Sequence, residues 1–303
     1  FNKLDKMSLP NFMCIGAAKS GTTTLCDILR QHPDIFIPSY KEPHFFDSPI
    51  VFERGVDWYE NTYFRNVKNR KCIGDFTPSY LFEAKAPQRI LKALGKDVKF
   101  IIILRNPIDR AYSQYLHSVR DEREDLPFQM ALKEESKRIK NYQEDTNYLL
   151  KLRISYFSQG LYGEMIENYL NIFSKDQFLF ILFEEELIRN TGETIRKVLN
   201  FLEIDSEISL TVDIKSNIAS KVKYKWVMRF MQKSGFWRSI IRKLIFSLKW
   251  RQIIKNKIHR ANTSSFTPKP LSKNIRKEIY NNYFLDDIKK LESILGRKMN
   301  WQE

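Results

Sequence analysis

Apolar residues in this chain come in short continuous runs, separated by stretches in which they recur every three or four positions. The runs are Phe12–Ile15, Cys72–Phe76, Phe100–Leu104 and Phe178–Phe183, and they predict strands. The helical spacing covers Thr22–Gln31, Pro87–Leu94, Pro107–Arg120, Leu161–Phe173 and Glu193–Leu202. The run ending at Leu104 has no polar alternation, as expected of a parallel strand buried on both faces. Strands alternating with helices predict an α/β fold: a mainly parallel central sheet between two helical layers, with ligands bound beyond the carboxyl ends of the strands. Asp121–Asp145 is highly charged and reads as a helical insertion at the rim of such a site. Leu271–Leu295 reads as one terminal amphipathic helix closed by Gly296. Without internal repeats or low-complexity linkers, the 303 residues are expected to form a single domain.

Three polar strings carry candidate chemistry, the first two at predicted strand ends. The first is Gly16-Ala17-Ala18-Lys19-Ser20-Gly21-Thr22-Thr23-Thr24, between the first strand and the first helix. Glycines that let backbone N–H groups turn inward, followed by a helix N-terminus, make a phosphate cradle, and Lys19 adds a mobile charge. A plain turn joining strand to helix is the alternative. The string misses the Walker A pattern, because Gly21 is followed by threonines and the lysine precedes it. An ordinary ATPase or kinase loop is therefore disfavoured.

The second string is Arg105-Asn106-Pro107-Ile108-Asp109-Arg110-Ala111-Tyr112-Ser113. Pro107 suits a first helical turn, where no N–H is needed. Arg105 then stands at a strand tip and Ser113 two turns along the helix, so that guanidinium and hydroxyl could share one phosphate. The third is Tyr40-Lys41-Glu42-Pro43-His44-Phe45-Phe46-Asp47. Its two phenylalanines can bury and fix the turn, while Pro43 predicts an extended backbone at Glu42. That arrangement would hold Glu42 at the lip of the phosphate pocket, with a solvated surface acid as the alternative; His44 and His117 are residues that could serve as a base.

Taken together and in this order, the strings resemble the sulfotransferases that use 3′-phosphoadenosine 5′-phosphosulfate (PAPS). The loop at Lys19 is similar to their 5′-phosphosulfate loop, and the Arg105 string to L-R-x-P-x-x-R-x-x-S, their 3′-phosphate motif. The Glu42 string resembles K-E-x-x-F-F of the carbohydrate enzymes, particularly the glycosaminoglycan N- and O-sulfotransferases. Gly74-Asp75-Phe76-Thr77-Pro78-Ser79-Tyr80 is a further match. The resemblance covers the first 120 residues well, and Tyr156–Leu202 more loosely. It implies a P-loop-like fold, Lys19, Ser20, Gly21, Thr22, Thr23 and Thr24 on the 5′-phosphosulfate, and Arg105 and Ser113 on the 3′-phosphate. It also implies Glu42 as base, Lys19 as the group that steadies the leaving oxygen, and His44 and Asp47 near the acceptor. Phe76 departs from the pattern, since the glycosaminoglycan enzymes carry a second lysine there.

Composition narrows the setting. Hydrophobic content of 43% with 14% aromatics fits a folded chain, and no apolar run approaches the ~20 residues of a membrane span. Cys14, Cys26 and Cys72 are widely spaced and read as buried apolar residues, and the four histidines form no metal-ligand pattern. No metal is expected. The formal net charge of +15 is local: 214–277 carries 18 Lys and Arg with no Asp or Glu, and the remainder has 33 basic against 36 acidic residues. This basic stretch, a helical insertion or lid at about 214–262, has Trp237, Ile241, Leu244, Ile245 and Leu248 at helical spacing. It could cover the core, line an anionic ligand, or lie on an anionic membrane, while nucleic acid is disfavoured for want of a recognition motif. The resemblance also implies that Lys215, Asn217 and 262–269 lie where such enzymes close over the nucleotide.

The expected activity is sulfuryl transfer from PAPS to a hydroxyl or amine, leaving 3′-phosphoadenosine 5′-phosphate (PAP). A carbohydrate or glycolipid acceptor leads over a small alcohol or peptide tyrosine. The rivals are a P-loop nucleotide kinase, for which Asp75 could serve as the metal-side carboxylate, and a non-catalytic module for anionic membrane or polysaccharide. The missing N-terminal leader pattern points to a bacterial cytoplasm, with a trimmed Golgi-lumen catalytic domain as the other setting.

Overall fold

The computed structural model describes residues 8–65, 67, 69–140, 148–212, 220–224 and 262–301. The expected strands form as β1 (Phe12–Gly16), β3 (Cys72–Phe76), β4 (Lys99–Leu104) and β5 (Phe178–Leu182), joined by a two-residue strand, β2 (Ile35–Phe36). All pairings among them are parallel, in the order β2-β3-β1-β4-β5. The registers Met13↔Asp75 and Met13↔Phe100 set β1 between β3 and β4, so its carboxyl end opens at the centre of the sheet.

Both faces of the sheet are dry. Met13, Ile15, Phe100, Ile102 and Leu104 pack into one core, while Phe12, Cys14, Ile101, Ile103 and Ile181 pack into the other. Helices α1 (Thr22–Leu29) and α9 (Thr191–Phe201) cover the second core through Leu25, Leu29, Ile195 and Val198. Helices α4 (Ala86–Leu94), α5 (Pro107–Arg120) and α8 (Tyr162–Leu170) cover the first. This is the expected three-layer arrangement, and it explains why apolar runs rather than alternation mark the strands.

Short helices α2 (Pro49–Phe52) and α3 (Val56–Tyr59) lead into a π-helical turn at Glu60–Phe64. The charged insertion is helical at α6 (Phe128–Lys140), and α7 (Tyr148–Ile154) follows. The expected terminal helix is divided into α10 (Lys273–Ile279) and α11 (Leu285–Leu295) by a π-turn at Tyr280–Phe284. The wider turn shifts the helical phase, so that Ile279, Tyr280, Phe284, Ile288 and Leu291 are all buried. Gly296 closes it in a left-handed conformation, at φ 72°.

The terminal helices clasp the sheet layer beneath the site. Arg276 donates twice to Asp109 on α5, at 2.6 and 3.1 Å, and Asn106 donates to the Trp301 carbonyl at 3.2 Å. Asp287 accepts from the N–H groups of Gly163 and Glu164 at the start of α8. All three cysteines are free and buried, and burial pushes their thiols up, to about 12 for Cys14 and about 11 for Cys26 and Cys72. Ser220–Val222 (β6) pairs antiparallel with Thr263–Ser265 (β7). The central part of the basic stretch, 225–261, lies outside the described residues, as do Lys215 and Asn217. Among the described residues no helix is long and apolar enough to cross a membrane.

Candidate active site

The loop after β1 takes its shape from Lys19 and Gly21, both left-handed at φ 71° and 83°. Gly21 is required twice over. A side chain there would be strained, and its Cβ would lie 2.7 Å from the Phe183 ring and 2.8 Å from Leu187. Gly21 caps α1 without a side-chain hydrogen bond, so the first-turn N–H groups of that helix face the loop. Among the described residues, buried Ser20 Oγ has no hydrogen-bond partner. Donors without acceptors at a helix N-terminus make an anion cradle.

Arg105, at the tip of β4, crosses to this loop and donates to the Lys19 carbonyl at 2.9 Å. Its guanidinium lies over the Phe183 ring, 4.9 Å from the centroid, with Glu184 Oε1 3.5 Å from Nε. Ser113 lies further along α5 and opens into the same cavity of about 1210 Å³, with Lys19, Thr22, Thr23, Thr24 and Arg105. Pro268 lines that cavity too, and the Lys269 carbonyl accepts from Tyr112 at 3.0 Å. The 262–269 segment thus runs past the pocket.

The Glu42 loop is anchored from below. Phe45 and Phe46 are completely buried, and Phe45 stacks on Tyr59 with ring centroids 4.3 Å apart. Phe46 meets Tyr80 edge-on at 5.4 Å, and Tyr80 Oη accepts the Phe45 N–H at 3.1 Å. Beneath them Asp75 accepts hydrogen bonds from Tyr59, Tyr80 and Thr77. Burial raises its carboxyl to about 6 despite these donors. Asp75 is thus an anchor inside the sheet layer, turned away from the cavity, and the kinase reading loses the carboxylate it had for a metal.

The backbone at Glu42 departs from expectation. It is left-handed at φ 65°, with His44 at 54°, rather than extended before Pro43. Two such residues cost roughly 1–3 kcal/mol each. Burying two phenylalanines returns roughly 1.5–3 kcal/mol each, so the anchor offsets the strain.

The strained turn lines up three polar side chains. Glu42 Oε2 lies 3.8 Å from His44 Nε2, and His44 Nδ1 lies 2.8 Å from Asp47. Asp47 also accepts from Ser79 Oγ at 2.5 Å. Asp47 is wholly buried, so it acts on the cavity through His44 and Ser79, which line it. Burial disfavours a charged His44, but the hydrogen bond and charge of Asp47, together with Glu42, outweigh it and hold the imidazole above its usual range. Burial pushes the Glu42 carboxyl up, but Lys41, His44 and Arg153 outweigh it and hold the group below the usual carboxylate range. Glu42 is therefore a carboxylate at neutral pH, the form that accepts a proton.

Several lining residues went unread in the sequence. Lys41 donates to Glu42 at 2.9 Å and to the Thr22 and Thr23 hydroxyls at 3.3 and 3.1 Å. Arg153 comes from α7 and Arg120 from the end of α5, and both line the cavity with His117, Leu149 and Leu152. Arg153 pairs with Asp121 at 3.4 Å and contacts His117. Phe76, by contrast, is buried in the core against Phe12, so that position presents no charge to the cavity.

Lys19 carries the largest electrostatic consequence. Burial, then the charges of Arg120, Arg153 and Arg105, lower its ammonium to about 8.

Comparison with known proteins bears on the family of the chain. A family model described as "Sulfotransferase domain" matches residues 9–258. The chain is 33% identical over 202 residues to "Heparan sulfate glucosamine 3-O-sulfotransferase 3B1" of Mus musculus, covering 67% of this chain and 48% of that protein. It is 38% identical over 116 residues to "Membrane-associated sulfotransferase kil1" of Dictyostelium discoideum, covering 38% of this chain and 24% of the other. The chain spans about half the length of the heparan sulfate relative. A solved sulfotransferase from Alicyclobacillus acidocaldarius superposes with a TM-score of 0.70 at 28% identity, covering 97% of this chain and 99% of that one.

The lowered Lys19 predicts a proton linkage. Near pH 8.5 the free site holds Lys19 mostly neutral, so an arriving phosphate draws a proton onto it. Titration with PAP in buffers of differing ionisation enthalpy should show uptake of a sizeable fraction of a proton near pH 8.5; near pH 6.5 Lys19 is already charged and the linkage should turn to release from the nucleotide's phosphates. Binding should weaken as pH rises through about 8. Zero uptake near pH 8.5 would contradict the assignment.

Proposed function

This chain belongs to the sulfotransferase-domain family, and on that premise we propose that it moves a sulfuryl group from PAPS to a carbohydrate hydroxyl. The reading is carried by one observation: two anion sites, at the ends of β1 and β4, open into a single cavity with an ionised Glu42 at its lip.

The loop N–H groups, Ser20, Thr22, Thr23 and Thr24 would hold the donor's 5′-phosphosulfate, and Arg105 and Ser113 its 3′-phosphate. Glu42 takes the acceptor's proton as the acceptor oxygen attacks sulfur in line. Lys19 steadies charge gathering on the bridging oxygen as PAP leaves. The loop amides and Lys19 are fixed before reaction, so little reorganisation is needed at the transition state. His44, held by Asp47, orients Glu42 and the acceptor. The heparan sulfate relative's name supports a carbohydrate acceptor. The guanidinium groups of Arg120 and Arg153 on the cavity wall support an acidic one.

Three outcomes are expected. Glu42→Gln should leave PAP affinity within about twofold while turnover falls by about 10²–10⁴, and retained turnover would remove Glu42 as the base. Arg105→Ala should weaken PAP by about 10- to 100-fold and adenosine 5′-phosphate hardly at all. Equal losses for the two nucleotides would refute the 3′-phosphate assignment. Arg153→Ala should raise KM for an acidic oligosaccharide by about tenfold with little change for a neutral one, measured with radiolabelled donor.

A further inference from the structure

We propose that Lys41 is a second catalytic lysine, whose ammonium binds the sulfuryl oxygens during transfer. This rests on the sulfuryl-transfer reading above and assigns a group that reading leaves unused. In an in-line displacement, sulfur must lie between the 5′-phosphate cradle and an acceptor oxygen within reach of the base. Lys41 Nζ spans that interval: it lies 3.3 and 3.1 Å from the hydroxyls of Thr22 and Thr23 in the cradle, and 2.9 Å from Glu42 Oε1.

Among the described residues, Lys19 is the other lysine that lines the cavity. The Lys19 backbone is held by Arg105, and its ammonium responds to Arg120, Arg153 and Arg105. Phe76, on the neighbouring strand, is turned into the core. The two lysines then divide the work. Lys19 meets the oxygen that leaves, and Lys41 meets the oxygens that travel with sulfur.

The step balances as a substitution at sulfur. A lone pair of the acceptor oxygen forms the new S–O bond, and the bond from sulfur to the bridging oxygen breaks with its electron pair passing to the 5′-phosphate of PAP. The acceptor's proton goes to Glu42. Lys41 keeps its protons throughout. Moving from the Glu42 carboxylate onto the sulfuryl oxygens, it frees Glu42 and makes it more basic as the donor arrives.

Calorimetry with PAP and with PAPS, in the absence of acceptor, isolates the sulfuryl contact. The wild type should bind PAPS more tightly than PAP. Lys41→Met should lose about 10- to 100-fold in PAPS affinity, the range of a charge-assisted hydrogen bond, with PAP affinity within twofold. Lys41→Arg should recover part of the loss. Plateau turnover with PAPS should fall at every pH in Lys41→Met. A shift of the acid limb alone, with an unchanged plateau, would reduce Lys41 to a counterion of Glu42 and overturn the proposal. So would parallel losses for PAP and PAPS, which would make it a prop for the loop. If the wild type binds neither nucleotide, the sulfuryl-transfer reading itself fails. Thermal melts of both variants check that they are folded.

Discussion

Burial of Phe45 and Phe46 against Tyr59 and Tyr80 is the constraint on which the polar side of this molecule depends. It fastens a strained turn to the sheet, and every group the turn displays takes its bearing from that fastening. Asp75 extends the anchor downward, because its carboxylate orders both tyrosines from inside the sheet layer. A buried acid with three donors is a rigid part. The turn can therefore carry two residues in the left-handed region without drifting from the end of β1. The hydrophobic contacts hold the geometry, and the charged groups above them are left to act.

Those charged groups form a graded field. Burial, and then the charges of Arg120, Arg153 and Arg105, lower the proton affinity of Lys19, whereas at Glu42 the charges of Lys41 and His44 outweigh burial and lower it. A largely basic cavity with the ionised Glu42 beside the cradle suits an anionic donor meeting a neutral nucleophile that must lose a proton. Neither feature alone would make that case. A basic pocket without the acid would only bind, and an acid without the cradle would have no electrophile to serve.

Much of this was legible in the sequence because sheet burial and phosphate binding both leave local marks. Four strands stand where continuous apolar runs predict them, since strands buried on two faces need no alternation to be seen. β2 was missed because two residues carry no period. The extended backbone expected at Glu42 gave way to a left-handed one, as tertiary burial of the adjacent phenylalanines outweighed the local preference before Pro43. The terminal helix was expected unbroken, and its π-turn leaves no trace in the spacing of apolar residues. The roles of Lys41, quoted only as part of its string, and of Arg153 went unread for a different reason. A lysine beside a glutamate, or an arginine on an amphipathic helix, reads as solvated surface until the fold brings α1, α5 and α7 around one cavity.

The clasp between Arg276 and Asp109 divides α5 into parts with different freedoms. Its first turns, which carry Arg110 and Ser113, are braced by the terminal helices, and the Asn106 bond to Trp301 ties down the cap. Its last turn instead meets α7 through Arg153. Changes at Leu149, Leu152 or Arg153 reshape one wall while the braced half keeps its form. Such a scaffold can vary the wall that α7 supplies while the Arg105 side of the cavity keeps its shape.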